Sequence, residues 1–183
     1  MSETTNTGLT IRRGSVADVD TVLGLFDDAV RWLVSRGRTG QWGSEPFSTN
    51  PKRVQQVTSW LDEGELWLAE HGGPTRPAGA LVVGPTAHHY VPASDVPELY
   101  VLGLVGSRQP WARGAGRLLL DHARAEAVRR GAHRLRVDCY AGDDRALVRF
   151  YTSAGFTPTQ TFTVGEWPGQ LLEIDLSGAS AGA

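Results

Sequence analysis

The chain of 183 residues reads as an α/β sheet domain, and three observations carry that reading. Stretches with apolar residues at helical spacing alternate with short apolar or alternating stretches that suit strands. A strand, a helix and a second strand follow one another between residues 99 and 139, and such a crossover is right-handed and makes its two strands parallel. No internal repeat or linker divides the chain, so residues 8–177 are expected to form one domain, with flexible tails at 1–7 and 178–183.

The elements follow in order. Leu9–Arg13 alternates and predicts a first strand. Ser15 is placed to cap the next helix, with Asp18 three residues on. Val19, Val22, Leu23, Phe26, Val30 and Leu33 form its buried stripe, and Gly37 and Gly40 break it. Trp32 reads as a cover for the core. Trp42 and its neighbour Gln41 suit either the core or the wall of a binding pocket, because loops often carry binding residues. Pro51 opens a helix to about residue 62, with Val54, Val57, Trp60 and Leu61 on one side and Gly64 at its end. Strands at 66–69 and 78–83 flank a turn at 71–74, and the second strand is apolar enough to be buried on both faces.

A loop at 84–96 holds His88, His89, Tyr90 and Asp95. Adjacent histidines prompt a test for metal, but their spacing fits no zinc pattern and the single cysteine supplies no partner set, so no metal is expected. Either histidine can still line a pocket or carry a proton near neutral pH. Glu98–Gly106 is the next strand, and simple alternation sets Glu98, Tyr100, Leu102 and Leu104 on one side. A helix over 113–130, capped by Gly131, leads to a strand at 135–140. Asp143 or Asp144 can cap a helix that runs through Tyr151 to Gly155. Strands at 156–164 and 171–176, joined by 165–169, close the sheet.

Totals exclude several classes. The formal net charge is −2 and the pI is about 6.2, without the basic excess of a nucleic-acid binder. One cysteine, Cys139, forbids an intrachain disulfide and makes a reducing compartment the simpler assumption. No apolar run approaches a membrane span, and the first eight residues lack the basic start and apolar stretch of a signal peptide. A cytoplasmic protein without nucleic-acid or membrane partners is expected.

The stretch 104–120 carries the strongest chemical signal. An apolar strand runs into Gly114-Ala115-Gly116 and then into the leucine run Leu118 to Leu120. Glycines let backbone N–H groups approach an anion, and a helix start offers unpaired N–H groups at the positive end of its dipole. A pyrophosphate suits that site. A Walker loop is excluded because no Gly-Lys-Ser/Thr follows. A dinucleotide fingerprint lacks its third glycine, although Asp138 lies near the distance of that fingerprint's acid.

The loop resembles the acyl-CoA pyrophosphate loop of the GNAT acetyltransferase superfamily, Gln/Arg-x-x-Gly-x-Gly/Ala before a leucine-rich helix. Gly114 and Gly116 fall on its small positions; Trp111 stands where Gln or Arg is usual, and Arg108, Arg113 and Arg117 can supply the charge. Residues 144–156 are similar to that superfamily's Asn-x-x-Ala-x-x-Phe-Tyr-x-x-x-Gly-Phe segment, with Asp144 for Asn and Leu147 for Ala.

The resemblance implies a mixed, mostly antiparallel sheet with a central pair of parallel strands that splay, flanked by helices. It implies acetyl-CoA as co-substrate, held by Trp111, Ala112, Arg113, Gly114, Ala115, Gly116 and Arg117, by the backbone of Leu104, Val105 and Gly106, and by Asp144. The implied reaction is direct transfer of an acetyl group to a primary amine of a small molecule or peptide. Tyr151 matches the general acid that protonates the leaving thiolate. Glu98 is the first candidate for the general base that the amine requires, with Tyr100, His88 and His89 as alternatives. Cys139 reads as a small core residue, not a nucleophile. Another acyl-CoA, a hydroxyl acceptor, or a CoA-binding sensor without turnover are the alternatives. A homodimer is common in the superfamily and stands open here.

Overall fold

A computed structural model describes residues 8–179. Among them, chain order is β1 (Leu9–Arg13), α1 (Val19–Ser35), α2 (Pro51–Glu63), β2 (Glu65–His71), β3 (Pro77–Gly84), β4 (Glu98–Gly106), α3 (Ala115–Arg129), β5 (Arg134–Tyr140), α4 (Ala146–Ser153), β6 (Thr157–Val164) and β7 (Trp167–Asp175). The seven strands form one sheet in the order β1-β2-β3-β4-β5-β7-β6. Every neighbouring pair is antiparallel except β4 and β5, so the sheet is mixed and mostly antiparallel as expected.

Local chemistry starts the helices where the sequence predicts. Ser15 and Asp18 form a reciprocal capping box on a short 3-10 turn ahead of α1. The Asn50 side chain accepts the Lys52 and Arg53 N–H groups, and Pro51 occupies the first turn of α2. Helices cover both faces. One face, under α3 and α4, buries Leu81, Leu99, Val101, Leu119, Leu135 and Leu172. The opposite face, under α1 and α2, buries Val22, Phe26, Val57, Leu68, Tyr100 and Val105. β3 sits between them with a continuous run of buried residues, which explains its uniformly apolar sequence.

The centre of the sheet opens. β4 and β5 pair only from Glu98↔Arg134 to Val101↔Val137. Beyond Val101, β4 follows β3; beyond Val137, β5 follows β7. A gap therefore splits the parallel pair at its C-terminal end.

A bulge in β4 corrects the simple alternation. Register slips between Val82 and Val83, so that Val101 and Gly103 are matched and Leu102 is not. The extra residue shifts the phase of the strand by one. Tyr100 and Leu102 face α1 and α2, but Leu104 crosses to the α3 side, and Val105 takes its expected place.

Three boundaries also move. α3 begins at Ala115, after a 3-10 turn over Pro110–Ala112, rather than at Arg113. The α4 cap position is Arg145, with φ +59°, and Asp144 supplies the cap bond from one residue earlier by accepting the Ala146 N–H. A two-residue turn with Gly165 at φ +58° lets β7 begin at Trp167 rather than at 171. Gly178 and Ala179 lie in a short turn, where the Ala179 N–H donates to Leu176 O. The rest of the expected tails, residues 1–7 and the part of 178–183 from 180 on, lies outside the described residues. Among the described residues no helix is long and apolar enough to cross a membrane.

Candidate active site

The loop between β4 and α3 is anchored from below. Ala112 and Ala115 are buried in the core, so the residues around them are held against the sheet. Gly114 has φ +89°, a left-handed conformation that costs an L side chain about 1–2 kcal/mol. The first helical bond of α3 runs from Leu118 N–H to Gly114 O at 3.0 Å. The N–H groups of residues 114–117 therefore have no acceptor among the described residues. A Cβ at Gly116 would meet the Phe150 ring at 3.3 Å, so this glycine lets α3 and α4 approach closely.

Charge around the loop is unevenly committed. Arg113 is exposed and forms no ion pair among the described residues. Arg117 bonds Asp121 on its own helix and Ser153 O at the end of α4. Arg108 lies 4.0 Å over the Trp32 ring, which Arg36 also approaches at 5.1 Å. Trp32 is thus a platform for two guanidinium groups rather than a cover for the core. The Trp111 ring lies 5.8 Å from the His71 ring.

At the gap itself, the ladder fixes which peptide groups are free. Ser107 N–H donates to Ala78 O at 2.8 Å. The alternation of an antiparallel pair then turns the Gly103 and Val105 groups toward β3 and those of Leu104 and Gly106 toward the gap. Those donors and acceptors are available to an extended ligand arm.

On the α3/α4 side of the gap stand Tyr151 and Cys139. Tyr151 is 6% exposed and meets Phe150 and Phe156 edge-on. Burial raises its phenol far above the ordinary range, so it stays protonated near neutral pH. Cys139 is pushed up to about 12, chiefly by burial, so it is a thiol and a poor nucleophile.

On the α1/α2 side stands a cluster that sequence reasoning did not assemble. Asp138 lies one residue past the last parallel pair, partly open to solvent on the floor of the gap. Tyr100 O–H donates to its Oδ1, and Tyr90 O–H to its Oδ2 at 3.3 Å. Burial raises the carboxyl above its ordinary range, and the Tyr100 bond, His88 and the Tyr90 bond oppose that rise. His88 Nε2 is 3.0 Å from Leu102 O, the carbonyl of the unmatched bulge residue. A carbonyl can only accept, so Nε2 carries the donated proton. The His88 ring stacks on Tyr90 at 5.3 Å and lies 5.8 Å from Trp60.

Glu98 has a different environment from the one a base requires. It lies at the closed end of the parallel pair, with both oxygens held by Arg136 at 2.5 and 2.9 Å. Each side chain is only 4% exposed. Arg136 also donates to Pro92 O, and Arg134 bonds Asp95. The two arginines thus clamp the loop that carries His88 and Tyr90. Asp144 is exposed, bonds Arg149 at 3.2 Å and lies 3.7 Å from Arg38. Trp42 packs edge-on against Phe26 and Phe47, which settles it as part of the hydrophobic cluster. Gln41 O accepts the Trp167 N–H at 3.0 Å and ties the α1–α2 loop to β7.

The model of the acetyltransferase (GNAT) family matches residues 28–156, more than half of the chain. A comparison with curated proteins found no significant match. Solved structures with the same fold include a GNAT-family acetyltransferase from Listeria monocytogenes, at TM-score 0.66 and 21% identity, covering 92% of this chain and 95% of that one. Ribosomal-protein-alanine N-acetyltransferase from Brucella melitensis aligns at TM-score 0.62 and 21% identity over 91% and 99% of the two chains. The yncA protein of Salmonella typhimurium, solved with its cofactor acetyl-CoA, aligns at TM-score 0.60 and 20% identity over 92% and 94%. Identities this low speak for the fold. The family match, the parallel pair that parts at its C-terminal end and the glycine loop beside it agree: the chain belongs to the acetyltransferase (GNAT) family.

Proposed function

We propose that the protein is an N-acetyltransferase that moves the acetyl group of acetyl-CoA directly to a primary amine of a small molecule or peptide. One observation carries this reading. Four N–H groups at 114–117, unpaired among the described residues, open beside a sheet gap that has a protonated phenol on one side and a partly open carboxylate on the other.

The residues divide the work. The N–H groups of 114–117 hold the pyrophosphate, with Arg113 as the uncommitted cation. Leu104 and Gly106 offer backbone groups to the pantetheine arm, and one N–H polarises the thioester carbonyl. Asp138 takes a proton from the acceptor ammonium, because an amine without a lone pair cannot attack. A carboxyl lifted by burial suits that task near neutral pH better than Glu98, whose oxygens are both bound by Arg136. The amine nitrogen bonds the carbonyl carbon, the carbon–sulfur bond breaks as Tyr151 gives its proton to the sulfur, and the second proton that the nitrogen loses on becoming an amide restores the Tyr151 phenol. The enclosed Cys139 thiol argues against a covalent acyl-enzyme.

The test is release of CoA from acetyl-CoA in the presence of primary amines, with Tyr151→Phe alongside. The expected outcome is a kcat reduced by about 10²-fold or more, the scale of general acid–base catalysis, with acetyl-CoA affinity unchanged. A protein that binds acetyl-CoA but turns over no amine is a sensor or uses another acceptor.

A further inference from the structure

We infer that the acceptor is a small primary amine with an aromatic or extended apolar body, and that this body lies on a shelf of aromatic rings beside Asp138, with Phe162 at its centre. The inference rests on the acetyltransferase reading above and names the substrate class of that site.

The register of the sheet builds the shelf. Asp138 and Tyr140 alternate along β5 onto the α1/α2 side, where the Asp138 carboxylate meets Tyr90 and Tyr100. Pairing with β7 sets Asp138 opposite Leu171, a residue buried on that side, and Tyr140 opposite Gly169. Pairing of β7 with β6 then sets Gly169 opposite Phe162 and Trp167 opposite Val164. A Cβ on Gly169 would strike the Phe162 ring, so this glycine lets the ring lie over β7. The rings follow one another: Tyr90 is 5.7 Å from Phe162, Phe162 is 6.3 Å from Trp167, and Trp167 is 5.8 Å from Tyr140. Tyr90 is bonded to Asp138 and Tyr140 is two residues beyond it, so the row of rings begins and ends beside the carboxylate.

The shelf is open and its borders are fixed. α1 and α2 pack on β2, β3 and β4. The half of the same face formed by β5, β7 and β6 carries these rings instead, and all four are half-buried. A contiguous patch of partly exposed rings marks a binding surface. On one border the α1–α2 loop is held by Gln41 O, which accepts the Trp167 N–H at 3.0 Å, and by Gly40, where a Cβ would strike the Tyr140 hydroxyl. On the other, Arg134 and Arg136 clamp the loop that carries Tyr90.

The chemistry selects the ligand. An ammonium pairs with the Asp138 carboxylate and is attracted by ring faces. The rest of the molecule gains by covering aromatic area, where rings favour other rings. Ring faces give no partner to the amides of a main chain, which favours a small amine over a peptide.

The experiment compares 2-phenylethylamine and 3-phenylpropylamine with ethanolamine and putrescine, read as CoA release at fixed acetyl-CoA. Calorimetry of acetyl-CoA binding is run on the same preparations. The wild-type enzyme is expected to favour the aromatic amines by at least about tenfold in kcat/KM, the scale of one buried ring contact. Phe162→Ala should reduce that preference to about twofold, through a higher KM for the aromatic amines, and should bind acetyl-CoA as the wild type does. Phe162→Tyr should keep the preference. Equal or better turnover of ethanolamine or putrescine by the wild type overturns the inference without any variant, and so does an aromatic preference that survives Phe162→Ala in full. Acetyl-CoA binding without turnover of any compound in the panel overturns it too, whereas failure to bind acetyl-CoA overturns the acetyltransferase reading itself.

Discussion

The two sides of the β4/β5 gap are built in opposite ways. On the α3/α4 side, the groups that matter are backbone N–H groups on one contiguous loop, together with one tyrosine on the next helix. On the α1/α2 side, they are side chains from separate segments: Tyr90 on a loop, Tyr100 on β4 and Asp138 on β5. Binding a constant co-substrate needs only a fixed backbone geometry, which many side chains tolerate. Recognising one acceptor needs particular side chains, which can come from anywhere in the fold.

The largest expected effect breaks this comparison at its acceptor side. Asp138→Asn should lower kcat about 10²–10⁴-fold while leaving acetyl-CoA affinity unchanged. The wild-type rate should rise with pH as Asp138 loses its proton. Its midpoint should lie above the ordinary carboxylate range, because burial raises this group further than Tyr100, His88 and Tyr90 lower it. The variant's pH–rate profile should lack that limb.

Next in size is a change that separates support from chemistry. Glu98→Ala leaves Arg136 enclosed without its carboxylate, a loss of about 3–5 kcal/mol for breaking a buried pair. Denaturant unfolding measures it. Glu98→Gln should also destabilise, but its kcat at a temperature where it remains folded should stay near the wild-type value. A loss of kcat in Glu98→Gln with full stability would make Glu98 the base and dissolve the assignment to Asp138.

The smallest effect belongs to the co-substrate side. Gly114→Val forces a β-branched residue into φ +89°, a strain of about 1–2 kcal/mol, and sets a Cβ beside the free N–H groups. Acetyl-CoA affinity should fall about tenfold or more, with the acceptor KM little changed.

The same contrast explains what could be read from the sequence. The strands, the helices and the phosphate loop rest on periods, caps and glycines within a few residues of one another. Tyr151 came with a contiguous motif. Glu98 shows the limit. Alternation gives it a face, but its partner Arg136 is 38 residues away and is set beside it only by the parallel register. The bulge at Leu102 is equally invisible, because a register slip belongs to two strands at once; it turns Leu104 to the other face and frees the carbonyl that His88 meets. Asp138 alternates along β5 with Arg134 and Arg136, and only the fold shows that two phenols close on it. Trp32 departs from its expected role, and the role left open for Trp42 falls to the core, for a similar reason. Which tryptophan meets Phe26 and which meets Arg108 depends on the path of the loop between the helices.

The most direct measurement is a calorimetric titration of acetyl-CoA into Asp138→Asn and Gly114→Val side by side with the wild type. A division of labour across the gap predicts wild-type affinity for Asp138→Asn and a loss of about tenfold or more for Gly114→Val. The reverse result, with weakened binding in Asp138→Asn and unchanged binding in Gly114→Val, would contradict it.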